Sequence, residues 1–156
     1  DLLLVRSLRP FHANTKKRLV KAPRVFVRDS GVTHALLSIP DYNQLSGHPV
    51  FGASWEGFVI ENLLSVAPAR TNASFYRTAA GAEIDLVLEL PGGKKWAIEI
   101  KSGLSANLGK GFYHALEDIK PDRSFVVYAG SDRYPITKET DAISLAELAR
   151  ELREVK

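Results

Sequence analysis

Two short runs, Glu83-Ile84-Asp85 and Glu99-Ile100-Lys101, stand at the open end of a segment that alternates apolar and polar residues on either side of Pro91-Gly92-Gly93. Such alternation marks a strand, because successive side chains leave opposite faces. Ile84 to Leu90 and Lys94 to Lys101 therefore read as the two arms of a hairpin. One face carries Ile84, Leu86, Leu88, Leu90, Trp96, Ile98 and Ile100, and the other Glu83, Asp85, Val87, Glu89, Lys95, Ala97, Glu99 and Lys101. Pro91 suits the second position of a type I turn, and Gly93 the left-handed position that closes a three-residue loop. That loop sets Leu90 opposite Lys94, Asp85 opposite Glu99 and Glu83 opposite Lys101. Opposed side chains have Cβ atoms about 4.5–5.5 Å apart, so two facing carboxylates repel. A divalent cation between them removes the conflict, and Mg2+ suits carboxylate oxygen while keeping several waters. The competing reading is a solvated face, which is common on antiparallel hairpins.

A second element bears on that choice. Ala53 to Val66 has a helical pattern, with Trp55, Phe58, Val59, Ile60, Leu63 and Leu64 at spacings of three and four. Its two glutamates are not equivalent. Glu61 shares its side with Ser54, Gly57 and Ser65 and is expected in solvent. Glu56 lines up with Ile60, Leu63 and Leu64 on the inward stripe, where a carboxylate needs a partner. The competing reading places Glu56 near the helix N-terminus, where negative charge is favoured anyway. A strand at Ser74 to Thr78 precedes the hairpin, and a helix at Asn107 to Ile119 follows it, ended by Pro121. Ser124 to Ala129 then reads as a buried strand. The expected order is helix, three strands, helix, strand.

With these residues in this order, the chain resembles the PD-(D/E)XK, restriction-endonuclease-like nuclease superfamily. More narrowly, it resembles the nuclease-like C-terminal domain of unknown function attached to a group of prokaryotic AAA-type ATPases. The resemblance is carried by Lys21 to Gly31, by Gly52 to Val59 with Glu56, by Tyr76-Arg77 ahead of Gly81, and by the two runs of the hairpin, over roughly residues 1 to 136. It implies an α/β (α+β) fold with a mixed central sheet flanked by helices, and metal-dependent phosphodiester hydrolysis. On that match Asp85 and Glu99 are metal ligands, Glu56 an accessory ligand, and Lys101 the residue that orients or activates water. Mg2+ is the implied cofactor, with Mn2+ as substitute, and DNA the favoured substrate. The alternative is a nuclease fold without the reaction, serving as a nucleic-acid-binding or regulatory docking module of the ATPase. The helix after the hairpin departs from recombination-related members: it offers Lys110, Tyr113 and His114 and no Gln.

At 156 residues, 45% apolar and 25% charged, the chain suits one domain with a full core. It has no cysteine, which excludes disulfides and thiolate metal sites, and no apolar run long enough to span a membrane. Both features fit a cytoplasmic protein. No Gly-x-x-x-x-Gly-Lys-Ser/Thr loop is present, so an ATP site is not expected in these residues. The net charge of +3 is unevenly placed: Lys16, Lys17, Arg18, Lys21, Arg24 and Arg28 fall close together with no acid among them. Such a run attracts a phosphate backbone. Lys16, Lys17, Arg18, Lys21, Arg24 and Arg77 are therefore the expected nucleic-acid contacts, with Lys101 and Lys110 able to extend the surface. The competing reading is a solvated linker. Residues 1–22, which open on Leu2, Leu3, Leu4 and Val5, are expected as the trailing end of an upstream domain, and 23–156 as the nuclease-like domain. Ser144 followed by Glu147 is a capping box opening a closing helix.

Overall fold

The computed structural model describes residues 4–13 and 17–155, so Leu2, Leu3 and Lys16 lie outside the described residues. The elements are β1 (Val5–Pro10), β2 (Arg24–Val27), α1 (Ser30–Leu36), α2 (Tyr42–Ser46), α3 (Phe51–Val66), β3 (Asn72–Arg77), β4 (Glu83–Glu89), β5 (Lys95–Ile100), α4 (Lys110–Ile119), β6 (Arg123–Tyr128), β7 (Tyr134–Pro135), β8 (Thr140–Ser144) and α5 (Leu145–Glu154). One mixed sheet runs β2-β1-β3-β4-β5-β6-β8-β7. The β1–β3, β5–β6 and β6–β8 pairs are parallel and the others antiparallel. This is an α+β fold, and α3 to β6 follow the expected order.

Both faces of the hairpin are covered. Leu86, Leu88, Trp96 and Ile98 pack with Val59, Ile60 and Leu63 of α3 and Leu148 and Leu152 of α5. Val87 and Ala97 are fully buried on the other side with Phe112, Ala115 and Ile119 of α4. The solvated-face reading therefore does not hold, because a helix lies where it requires water. The expected register does hold, from Glu89 opposite Lys95 to Leu86 opposite Ile98. The three-residue loop closes as expected, Leu90 N–H donating to Lys94 O at 2.8 Å with Gly93 at φ 79°, but Gly92 at φ 77° and ψ 8° gives the position after Pro91 the conformation of a type II turn, not type I.

One feature breaks the alternation. Ser74 pairs with Val87 but Tyr76 pairs with Ile84, so Asp85 and Leu86 together stand opposite Phe75. This is a β-bulge, which re-aims the side chains around it. Ile84 consequently packs on the α4 side with Tyr76, not with Leu86 as strict alternation requires. Asp85 turns toward α3 instead of standing squarely opposite Glu99.

Ahead of α3, Asp41 caps α2, its Oδ1 accepting from Gln44 N–H at 3.0 Å. Phe58 is exposed and stacks on Trp55. The N-terminal segment is built into the sheet: Leu8 is buried, β1 joins β2 to β3, and Leu19 bridges to Thr78. Leu4 and Val5 remain exposed. Ser144 caps α5 as read, its Oγ accepting from Glu147 N–H at 3.3 Å, while the Glu147 carboxylate goes to Arg133.

Candidate functional site

At one end of the strands α3, β4, β5 and the start of α4 enclose a cleft of about 540 Å³. Glu56, Glu83, Asp85, Glu99 and Lys101 line it, together with Trp55 and Gly52, Gly81, Gly109 and Gly111. The four residues expected to carry chemistry are thus brought together. Glu83, which the pairing argument set opposite Lys101, is a fourth carboxylate of the same cleft.

Each side chain has a defined seat. Glu56 faces inward on α3, as its stripe requires, and its side chain is only 15% exposed. Asp85 Oδ2 accepts the Ile100 N–H at 2.9 Å, which ties the bulge in β4 to the end of β5. Lys101 Nζ donates to Glu99 Oε1 at 2.7 Å. The Lys101 backbone is held on both sides, its N–H donating to Val127 O at 2.8 Å and its carbonyl accepting from Trp55 Nε1 at 3.0 Å. The indole thereby couples α3, which carries Glu56, to the strand that carries Glu99. Nothing in the helical pattern distinguished Trp55 from its apolar neighbours.

Arg24 is the main departure. Expected on a phosphate-facing surface, it turns toward the carboxylates of the cleft and lies 2.6 Å from Glu56, 3.2 Å from Asp85 and 3.6 Å from Glu83. The reason is the pleat of β2: Phe26 is buried while Val25 and Val27 face out, so Arg24 shares the inward side with Phe26. Val25, Phe26 and Val27 are all apolar, so period 2 alone does not say which face of these four residues is covered. The other expected cations are more exposed. Arg77 lies 3.6 Å from Glu83 at the rim, Lys17 is bonded to Asp118 at 2.7 Å, and Arg18 and Lys21 are exposed. Glu61, expected in solvent, is instead paired with Arg6 at 2.5 Å and Arg28 at 3.0 Å.

Negative charge is in excess. The four carboxylates meet three cations, Lys101 of the cleft, Arg24 and the half-exposed Arg77. Burial first, and the charge of Asp85 second, push Glu56 up to about 7 against the pull of Arg24. Burial and then Asp85 push Glu99 up to about 7 as well, against Lys101. Glu56 Oε1 and Glu99 Oε2 are buried without a hydrogen-bond partner. Glu56 Oε1 lies close to Arg24 Nη2, but the N–H that is aligned goes to Oε2 at 2.7 Å. Hard oxygen donors with surplus negative charge suit a hydrated divalent cation. Among the described residues, however, no three acidic or histidine side chains converge on one metal position. Also among the described residues, no helix is long and apolar enough to cross a membrane.

Comparison with known proteins gives a family and relatives. The chain is 38% identical over 143 residues to an uncharacterized protein of Mycobacterium tuberculosis, and equally to one of Mycobacterium bovis. Each match covers 92% of this chain and 32% of the relative, so the chain spans about a third of their length. No solved structure matches the chain. A model of another domain of unknown function, DUF8612, matches residues 1–43. The model described as "Domain of unknown function (DUF4143)" matches residues 51–148, which hold every cleft carboxylate and Lys101. With well over half its length so matched, the chain belongs to the DUF4143 family, a C-terminal domain typical of AAA-ATPase-associated proteins.

Proposed function

We propose that the cleft is a nuclease-like centre of the PD-(D/E)XK kind, which hydrolyses nucleic-acid phosphodiesters, DNA in preference, with Mg2+ or Mn2+. The observation that carries this reading is the pair of buried carboxylate oxygens that accept no hydrogen bond, one on Glu99 and one on Glu56 beside Arg24, in a cleft lined by four carboxylates. Asp85 and Glu99 would hold the cation, with Glu56 as accessory ligand. When bound, the cation supplies Lewis acidity toward a phosphoryl oxygen and a more acidic water.

The chain's own residues supply the rest. The Ile100 N–H fixes one oxygen of Asp85, so the carboxylate is oriented before any ligand arrives. Lys101, anchored through Val127 and Trp55, keeps an ammonium beside Glu99. It adds positive charge where a phosphate gains negative charge in the transition state. Arg18, Lys21 and Arg77 offer exposed cations for the nucleic-acid backbone.

One observation favours a second reading. Arg24 already pairs with Glu56, Glu83 and Asp85 without any metal, as a fold that does no chemistry would require. On that reading the domain is a nucleic-acid-binding or docking module of a longer, ATPase-linked protein.

A Mn2+ titration followed by thermal melting, on the parent and on Asp85→Ala, separates them. The nuclease reading expects a saturable rise in melting temperature in the parent alone, since a ligand that binds the folded state stabilises it by mass action. It also expects Mn2+-dependent DNA cleavage that Asp85→Ala and Glu99→Ala abolish while remaining folded. No rise and no cleavage, with salt-sensitive DNA association surviving both substitutions, would establish the binding module instead.

A further inference from the structure

The carboxylates at the mouth of the cleft are tied to one another by a side chain from outside the hairpin. Arg24 Nη2 donates to Glu56 Oε2 at 2.7 Å and Nη1 to Asp85 Oδ1 at 3.2 Å. One guanidinium therefore spans a carboxylate from α3 and one from β4, which is what a bridging cation would do. Its planar fork suits that task as a compact ammonium does not. The charged head also lies over aromatic rings, with Cζ 5.4 Å from the Phe26 ring and 5.8 Å from the Phe75 ring. The strand that carries it is the least anchored part of this arrangement. β2 has four residues, stands at the end of the sheet and, among the described residues, pairs with β1 alone. Residues 21–23, just ahead of it, are exposed.

We propose that Arg24 is a built-in counter-cation, which bridges Glu56 and Asp85 when no divalent ion is bound and competes with that ion for them. The inference rests on the divalent-cation reading above and adds a residue to it. It accounts for the lack of three convergent ligands around Asp85: two of the carboxylates are aligned on a guanidinium instead. The observed affinity for a divalent ion is then weakened by the fraction of molecules in which Arg24 occupies the carboxylates. Arg24 thereby sets the ion concentration at which the cleft becomes loaded.

The test is Mn2+ alone, titrated into the full chain and followed by melting temperature, on the parent, Arg24→Gln, Arg24→Lys and Asp85→Ala. Arg24→Gln is expected to melt lower than the parent without metal and to bind Mn2+ roughly tenfold more tightly. Arg24→Lys keeps the charge but loses the fork, so it is expected to fold and to bind with intermediate strength. It serves as the deciding variant if Arg24→Gln does not fold. A saturable, Asp85-dependent response in the parent that neither Arg24 variant tightens would overturn the counter-cation and leave the metal reading standing. No response in any of the four would overturn both.

Discussion

Glu56 and Glu99 reach the same raised value through the same two causes, burial ahead of the charge of Asp85, while different cations oppose the rise. The sign of the consequence follows from linkage. A carboxyl raised from 4.5 to about 7 binds more protons folded than unfolded across that interval. Its contribution to stability is complete below pH 4.5 and is lost as pH rises through about 7. A tenfold change in proton affinity is worth about 1.4 kcal/mol, so each group amounts to a few kcal/mol at most, and both draw on the same Asp85 charge. The expected result, in metal-free buffer, is a melting temperature that falls between about pH 5 and pH 7.5 and levels off above. Glu56→Gln and Glu99→Gln should each flatten the fall, and a parent that gained stability over this range would contradict the cluster's electrostatics. At this scale the sequence was legible in part. Inward Glu56 and the grouping of Asp85, Glu99 and Lys101 followed from periodicity and turn length. Arg24 was legible only as a charge, because its direction depends on which face of a four-residue edge strand β1 and α3 cover. Glu61 was misread for a similar reason: the arginines that hold it, Arg6 and Arg28, come from β1 and the end of β2, with no local signal linking them to α3.

The hairpin was the most legible element, since its turn residues and alternation agree on one register. The bulge at Asp85 and Leu86 was not, because it arises in the pairing of β4 with β3, and neither strand encodes the mismatch alone. Its effect is local but decisive for the cleft, since it turns Asp85 to the side where Glu56 and Arg24 stand. The start of α4 is set by another contact invisible to periodicity. A Cβ at Gly111 would lie 2.3 Å from Gly81 O, where Gly81 itself takes φ of 87°. Two effects oppose each other in Gly111→Ala. Helix propensity alone favours alanine by at most about 1 kcal/mol, and less in a first turn. The clash is with backbone, which cannot rotate away, and forced overpacking costs about 1–3 kcal/mol. The clash should win. Gly111→Ala is expected to melt lower than the parent, and Gly109→Ala, with nothing within 4 Å of its Cβ position, to change stability far less. Equal melting of the two variants would show that the approach of α4 to the Gly81 turn is not tight.

For the molecule as a whole, the question is whether the first two dozen residues belong to the domain. They read as the remainder of another unit because only Leu8 of the six residues in β1 is buried, too weak a pattern to announce a strand. Yet the sheet depends on them. Among the described residues β2 has no other strand partner than β1, and β1 reaches β3 through two parallel pairs at Arg9 and Pro10. Leu8 sits at that junction, 1% exposed, in the same core as Val59, Phe75 and Leu86. Removing a leucine side chain from such a site costs about 2–5 kcal/mol, a large fraction of a typical domain's stability. Leu8→Ala should therefore lower the melting temperature strongly, whereas Val5→Ala, at an exposed position of the same strand, should barely move it. A fragment starting at residue 23 is the sharper case. It keeps every cleft carboxylate and Arg24 in its sequence, but it loses the strand that fixes β2 to the sheet. It is expected to lose cooperative melting, or to melt well below the parent with residues 23–50 cut first by protease. A fragment that melted cooperatively at the parent temperature would show that β1 only leans on the domain. The position of Arg24 would then be held by its carboxylates alone, and the counter-cation would have to be free to leave without disturbing the fold.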